Sequence, residues 1–263
     1  MTFCGDDAGK TAWPFVKTIV ERDVVRSTND VAAELVRSGV VALPLLVWAH
    51  LQTSGRGRGD HEWWSDSGSL TFTIAMAPLA HGLAGMALPR VGLATAVAVI
   101  DALGELGFGE LGLGIRWPND VECGGKKLGG ILPEVVNPVD RDCLLIGVGL
   151  NVQTNLAEAP EPVRAMATSL AAVSSRARAA DMRPQLLAAI LRGIETTVGR
   201  LASADSALAA RWNELDTLRN QPVRVDVGSH VVEGRGRGID PLGALCVDDG
   251  RRTIRLFGGS VLR

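Results

Sequence analysis

The chain has 263 residues, 46% hydrophobic and 21% charged, a balance that supports a sizeable core and excludes collagenous, disordered and low-complexity chains. A formal net charge of −2 excludes a general nucleic-acid binder, and the lack of any Tyr beside six Trp and five Phe removes phenol chemistry. Cys4, Cys123, Cys143 and Cys246 are scattered, with no CxxC spacing and no paired His, which argues against a zinc site and against a disulfide framework. The acidic stretch 1–15 has no apolar h-region, and the apolar runs 43–49 and 143–150 fall short of a membrane span. The expectation is a soluble, cytoplasmic protein with reduced thiols.

In chain order, a helix is predicted over 27–36, where Ser27 and Asn29 can cap and Val31, Leu35 and Val36 recur at helical spacing. The run 45–49 after Pro44 reads as a buried strand, and 69–77, with Thr71 and Thr73 alternating with apolar residues, as another. Residues 88–106 give the strongest helical period. Strands are predicted over 112–117 and 128–136 around a turn at Gly124-Gly125, and over 142–152. Residues 160–212 are Ala- and Leu-rich, with a helix from Pro184 to about Leu201. From Pro222 onward short alternating pieces separated by Gly suggest a small barrel of about five strands. The expected fold class is therefore α+β, a mixed α/β sheet, with domains at 1–218 and 219–263.

Three segments carry chemistry. In Gly55-Arg56-Gly57-Arg58-Gly59, followed by Trp63-Trp64, glycines admit an anion to backbone N–H groups and two guanidiniums clamp it, unless this is only an RG-rich surface loop. In Arg116-Trp117-Pro118-Asn119-Asp120, Pro118 ends a strand and thrusts Asn119 and Asp120 outward. Lys127 opens the returning strand, so the hairpin brings its ammonium near the Asp120 carboxylate; the plainer alternative is a solvated hairpin tip. Gly147-Val148-Gly149-Leu150-Asn151 lacks the third glycine and following helix of a dinucleotide fingerprint, and no Walker A loop is present. Asn151 is either an amide ligand for a metal or phosphate-bound water, or a turn former. The four His show no ligand or triad spacing.

Taken in order, these segments closely resemble the biotin–protein ligases. The resemblance rests on Ser27-Thr28-Asn29; Gln52 with Gly55-Arg56-Gly57-Arg58 and Trp63; Arg116-Trp117-Pro118-Asn119-Asp120; Lys127-Leu128-Gly129-Gly130-Ile131-Leu132; Gly147 to Asn151; and Ala167-Thr168-Ser169-Leu170. Arg211-Trp212, Asn220-Gln221-Pro222-Val223, Arg237-Gly238-Ile239-Asp240 and Gly258-Gly259 extend it through the tail.

The resemblance implies a catalytic domain like those of class II aminoacyl-tRNA synthetases and an SH3-like C-terminal domain. It implies that biotin and Mg-ATP form biotinyl-5′-AMP, which then acylates a lysine of a biotin carboxyl carrier domain. Ser27, Thr28 and Gln52 would hold the ureido end of biotin, with Gly55, Arg56, Lys127 and Gly130 completing that site. Arg56, Arg58, Trp63, Asn119, Lys127 and Asn151 would serve ATP, and Lys127, Arg58 and Asp120 would be catalytic. Magnesium would arrive on ATP, near Asp120 and Asn151, with no protein ligand set of its own.

The pattern also departs from the family's. His61 stands where many relatives have a further loop Arg, and Met166 or Ala167 where some have an adenine-stacking Trp. The 26 residues before Ser27 are too few for a winged-helix head, so no nucleic acid is expected as a partner, and the protein would be a monomer or homodimer. A lipoate- or octanoate-handling ligase, and an idle biotin or carrier binder, are the alternatives.

Overall fold

The structure is a computed structural model, which describes residues 13, 15–83, 88–137 and 142–262. Cys4 and most of the acidic N-terminal stretch lie outside the described residues. The larger, N-terminal part begins with β1 (Thr18–Val25), α1 (Thr28–Ser38) and β2 (Leu45–Gln52), then a small hairpin of β3 (Gly55–Arg56) and β4 (Glu62–Trp63). β5 (Ser69–Met76), α2 (Leu88–Leu103), β6 (Leu113–Arg116), β7 (Asp120–Cys123), β8 (Lys126–Val136) and β9 (Cys143–Asn151) follow. Helices then dominate: α3 (Glu161–Met166), α4 (Leu170–Val173), α5 (Ser175–Ala179), α6 (Arg183–Ala202) and α7 (Ser206–Glu214). The chain ends in β10 (Pro222–Asp226), β11 (Val231–Ile239), β12 (Leu245–Asp248), β13 (Thr253–Leu256) and β14 (Ser260–Val261).

Seven strands form the main sheet, in the order β1-β2-β5-β9-β8-β7-β6. Only the β1–β2 pair is parallel; the others are antiparallel, so the α+β expectation holds. The sequence reading missed β1, β3, β4 and β7. β7 is four residues long and buries three of them without a clean alternation, so it carries little periodic signal. The Gly124-Gly125 turn falls where expected, with φ of 57° and 76°, joining β7 to β8.

The two faces of the sheet are covered unequally. Successive side chains of a strand point to opposite faces. On β2, Leu46 and Trp48 pack in the large core with α2 and α6, while Leu45 and Val47 join Ala32, Ala33 and Val36 of α1. α1 is too short to cover its whole face. On β9, Cys143 and Leu145 lie beneath it, and the residues two and four places further, Gly147 and Gly149, emerge onto open floor. That uncovered floor is where the site forms.

The helical run Arg90–Leu111 is long and apolar enough to cross a membrane by length and composition, but 72% of its most apolar window is buried inside the protein. Its apolarity is that of a core helix. The C-terminal strands form an antiparallel sheet in the order β13-β12-β11-β10-β14. A small barrel of about five strands was expected there; five strands are found, paired as a sheet with β13 and β14 at its two edges.

Candidate active site

A cavity of about 540 Å³ opens on the uncovered floor. It takes its walls from α1, the β3–β4 hairpin, the β6–β7 connection, α3 and the C-terminal strand. Every predicted site residue except Gly55 lines it. Gly55 is packed behind the wall, where a Cβ would lie 2.5 Å from the Trp63 carbonyl and 2.8 Å from Gln52 Nε2. Its place is corrected accordingly: it lets β3 approach β4 and gives no surface to a ligand.

At one end, Ser27 occupies the N-cap position of α1 but its side chain makes no capping bond, contrary to the expected cap. Gln52 Oε1 accepts the Thr28 N–H at 2.7 Å and the Thr28 hydroxyl at 3.1 Å. Those bonds fix the amide's orientation and leave Nε2 as its remaining donor. The Thr73 hydroxyl lies 2.8 Å from Thr28 Oγ1 and 2.6 Å from Asn29 Oδ1. Asn29 is therefore no cap either; its Nδ2 donates to Glu134 Oε2 at 2.7 Å. This fully buried polar end suits a neutral group rich in donors and acceptors.

The other end is cationic. Asp120 begins β7 and Lys127 is the second residue of β8, and the hairpin holds Lys127 Nζ 2.7 Å from Asp120 Oδ1. Gly130 faces this pair: a Cβ there would stand 3.4 Å from Asp120 Oδ1. Lys127 Nζ also lies 5.7 Å from the centre of the Trp63 ring. Trp63 rests on Gly149, where a Cβ would come within 2.5 Å of the indole, so only glycine admits the ring. The indole Nε1 is buried without a protein partner. An unpaired buried donor is costly, and a ligand acceptor would satisfy it.

Arg58 donates to the Gly259 carbonyl at 2.7 Å, and desolvation lowers its pKa, with nearby Asp120 acting the other way. Arg56, also on the cavity wall, meets two carboxylates. Its two terminal nitrogens each lie 2.7 Å from an oxygen of Glu134, and one is 3.1 Å from Asp30. The Glu134 hydrogen bond is the largest cause of its raised pKa.

Asn119 gives its amide to the Ile131 carbonyl at 2.6 Å and anchors the β6–β7 turn, which contains a cis Trp117–Pro118 peptide. Asn151, at the end of β9, donates Nδ2 to the Thr168 carbonyl at 3.0 Å, which leaves its oxygen for a ligand. At the departures from the family pattern, the His61 backbone closes the hairpin by accepting from Gly57 N–H at 2.7 Å. Met166 is exposed on the α3 wall beside Pro162 and Val163. No cluster of three or more His, Cys, Asp or Glu able to hold a metal exists among the described residues.

Sequence reasoning missed Glu134, Thr73 as a site residue, and the 260–262 tail in the wall. Glu134 was findable by strand period, two steps of two beyond Gly130 on the same face; the tail had no local signal.

The chain matches the Biotin/lipoate A/B protein ligase family over residues 21–151. It is 33% identical to the biotin–[acetyl-CoA-carboxylase] ligase of Mycobacterium tuberculosis, covering 91% of this chain and 88% of that protein. The chain belongs to the biotin protein ligase family. The ligase is also 30% identical to the biotin–[acetyl-CoA-carboxylase] ligase of Paracoccus denitrificans, covering 81% of this chain and 90% of that protein. Its fold is like that of the biotin protein ligase from Aquifex aeolicus in complex with biotin and ATP, with a TM-score of 0.79 at 24% identity, covering 94% of this chain and 99% of that one.

Proposed function

We propose that this ligase activates biotin with ATP as biotinyl-5′-AMP and transfers the acyl group to a lysine of a biotin carboxyl carrier domain of acetyl-CoA carboxylase. The observation that carries the reading is the single cavity joining a buried neutral polar end, at Thr28 and Gln52, to a cationic end at Lys127 and Arg58. The ureido group of biotin matches the first in donors and acceptors. Its carboxylate, at the end of an apolar chain, then reaches the second, where the α-phosphate must meet it.

In the first step a carboxylate oxygen of biotin forms a bond to the α-phosphorus, and the bond to the bridging oxygen breaks, releasing pyrophosphate. Two anions must approach, so fixed cations count most at the developing charge. Lys127 is the group placed to bridge carboxylate and phosphate, and Asp120 holds its ammonium in position. Arg58 answers the phosphates from the hairpin. Trp63 offers a face and an unpaired N–H to the nucleotide. Asn151 offers its oxygen, and Asn119 fixes the turn that presents Asp120.

In the second step the carrier's lysine amine attacks the acyl carbon, the acyl–oxygen bond breaks, AMP leaves and an amide forms. Asp120 faces the incoming amine. Water is excluded by the hairpin and the C-terminal strand, which meet through Arg58 and Gly259.

Magnesium supplies charge neutralisation for the triphosphate. Such a metal is usually held by substrate phosphates with one or two protein groups, which fits a site offering Asp120 and the Asn151 oxygen, with no three-ligand cluster among the described residues. The catalytic domain, 1–218, is assigned to the class II aminoacyl-tRNA synthetase type, and 219–263 to an SH3-like domain. The same reading makes the protein cytoplasmic, a monomer or homodimer, acting on a protein acceptor away from membranes and nucleic acid. Biotin-dependent ATP–pyrophosphate exchange tests the reading: lipoate should not replace biotin. Lys127→Ala should lower the exchange by ~100-fold or more with the fold intact by circular dichroism. Near-normal exchange in that variant would remove Lys127 from the chemistry.

A further inference from the structure

The two hairpin arginines stand in opposite electrostatic settings. The charge of Arg58 meets a neutral backbone carbonyl, and nearby Asp120 is already paired with Lys127. The charge of Arg56 meets two carboxylates, Glu134 through both oxygens and Asp30 beside it. A guanidinium flanked by two carboxylates belongs to a group of net charge −1 and has little attraction left for a triphosphate. Glu134 in turn accepts from Asn29 Nδ2, and Asn29 Oδ1 lies 2.6 Å from the Thr73 hydroxyl, which neighbours the Thr28 hydroxyl bonded to Gln52. One hydrogen-bonded chain thus runs from the base of the hairpin, across β8, α1 and β5, to the neutral end of the cavity.

We propose that Glu134 is a positioning residue, and that its two-pronged bond to Arg56 latches the β3–β4 hairpin onto the main sheet, closing the hairpin over the activated intermediate. Arg56 is then a latch and not a phosphate ligand. The geometry explains why the residue must be Arg: two parallel bonds orient the hairpin, where a lysine offers only a point charge. The placement also ties hairpin closure to the polar end, because Glu134 and Gln52 are joined through Asn29, Thr73 and Thr28. The hairpin would close most firmly when that end is occupied.

The latch is independent of the ligase reading in the free protein, and rests on that reading only for its effect on the intermediate. Trypsin cleavage of the full chain after Arg58 reports opening of the hairpin. Glu134→Gln, which removes the charge while keeping the size, should speed that cleavage roughly five- to tenfold, as expected for loss of a partly exposed two-pronged ion pair. Arg56→Lys should do the same. The melting temperature should stay within about 2 °C of the parent, since the change is local.

With biotin and ATP, both variants should release biotinyl-adenylate several-fold faster while KM for ATP stays within about twofold, because binding of the triphosphate does not use the latch. Unchanged cleavage after Arg58 in both variants overturns the latch. A raised KM for ATP with an unchanged adenylate release rate in Arg56→Lys also overturns it, returning Arg56 to the phosphates. Absence of biotin-dependent exchange in the parent would sink the ligase reading instead, and the cleavage measurement would still decide the latch.

Discussion

The pentapeptide Gly-Arg-Gly-Arg-Gly occurs twice in this chain, at 55–59 and at 234–238. The first copy leaves β3 and turns back through β4, with Gly59 in the left-handed region at φ 61° and open space around it. Its arginines reach the cavity wall. The second copy is the middle of β11, hydrogen-bonded on both sides by β10 and β12. There the glycines are demanded by contact: a Cβ on Gly236 would collide with the Leu218 carbonyl, and one on Gly238, at φ 105°, with Asn213 Oδ1. Its arginines are spent on structure, Arg235 on the Asn220 carbonyl and Arg237 on Asp248, each at 2.6 Å. Identical letters thus make an open hairpin on a cavity wall in one place and a packed joint in the other. What differs is the partner across the strand, which is a tertiary property.

The comparison can be broken or sharpened by substitution. The largest effect belongs to the first copy. Arg58→Ala should cut biotin-dependent pyrophosphate exchange by ~100-fold, as loss of a fixed cation at developing charge does, while Arg235→Ala leaves it within about twofold. Equal losses in the two variants would abolish the distinction.

The second effect is on the joint behind the second copy. Asp216, whose Oδ1 accepts the Leu218 N–H at 3.0 Å, has an unpartnered buried Oδ2. Burial pushes its carboxyl up to about 6, against the opposing pull of the Leu218 N–H and Arg219. The folded protein therefore keeps a proton that the unfolded chain releases, so this group's stability contribution falls as pH rises from about 4 through about 6 and is flat above. Relative to the parent, Asp216→Asn should gain about 2–3 kcal/mol across that window, read as a growing difference in urea midpoints. A difference that does not change with pH would contradict it.

Next, Gly236→Ala should cost about 1–3 kcal/mol of stability by forcing the strand from Leu218, with exchange per folded molecule unchanged. Lost exchange at full folding would mean that the joint steers the chemistry. The smallest effect is expected for Arg237→Ala, whose exposed ion pair should move neither the urea midpoint nor the exchange rate measurably.

The sequence was most informative where function depends on short-range geometry. Asp120 and Lys127 are seven positions apart across a two-glycine turn, so a hairpin alone brings them together, and the structure holds them at 2.7 Å. The strands 45–49 and 142–152 are legible as continuous apolar runs, and 69–77 by its alternation of Thr71 and Thr73 with apolar residues, because each is buried in the sheet interior. β1 is not: its exposure alternates over 18–23 but its residue types do not follow, with Ile19 and Val24 exposed and Arg22 half-buried, and its pairing with β2 is parallel, with no hairpin to mark it. Asn29 does not cap because its side chain is taken by Thr73 and by Glu134, the latter 105 positions along the chain. The carboxylate partners of Arg56 likewise come from α1 and β8, and no local pattern announces them.

From the sequence alone came the mixed α+β class, the run of terminal strands, and the closeness of Lys127 to Asp120 across a two-glycine turn. Periodicity and turn chemistry are local, and those assignments need nothing else. Tertiary packing decided which hairpin arginine meets carboxylates and which a backbone carbonyl, since that depends on where distant groups stand. It likewise brought residues 260–262 into the cavity wall and set Trp63 on Gly149, because contacts between segments far apart in the chain are set by the packing of the sheet and not by the spacing of letters.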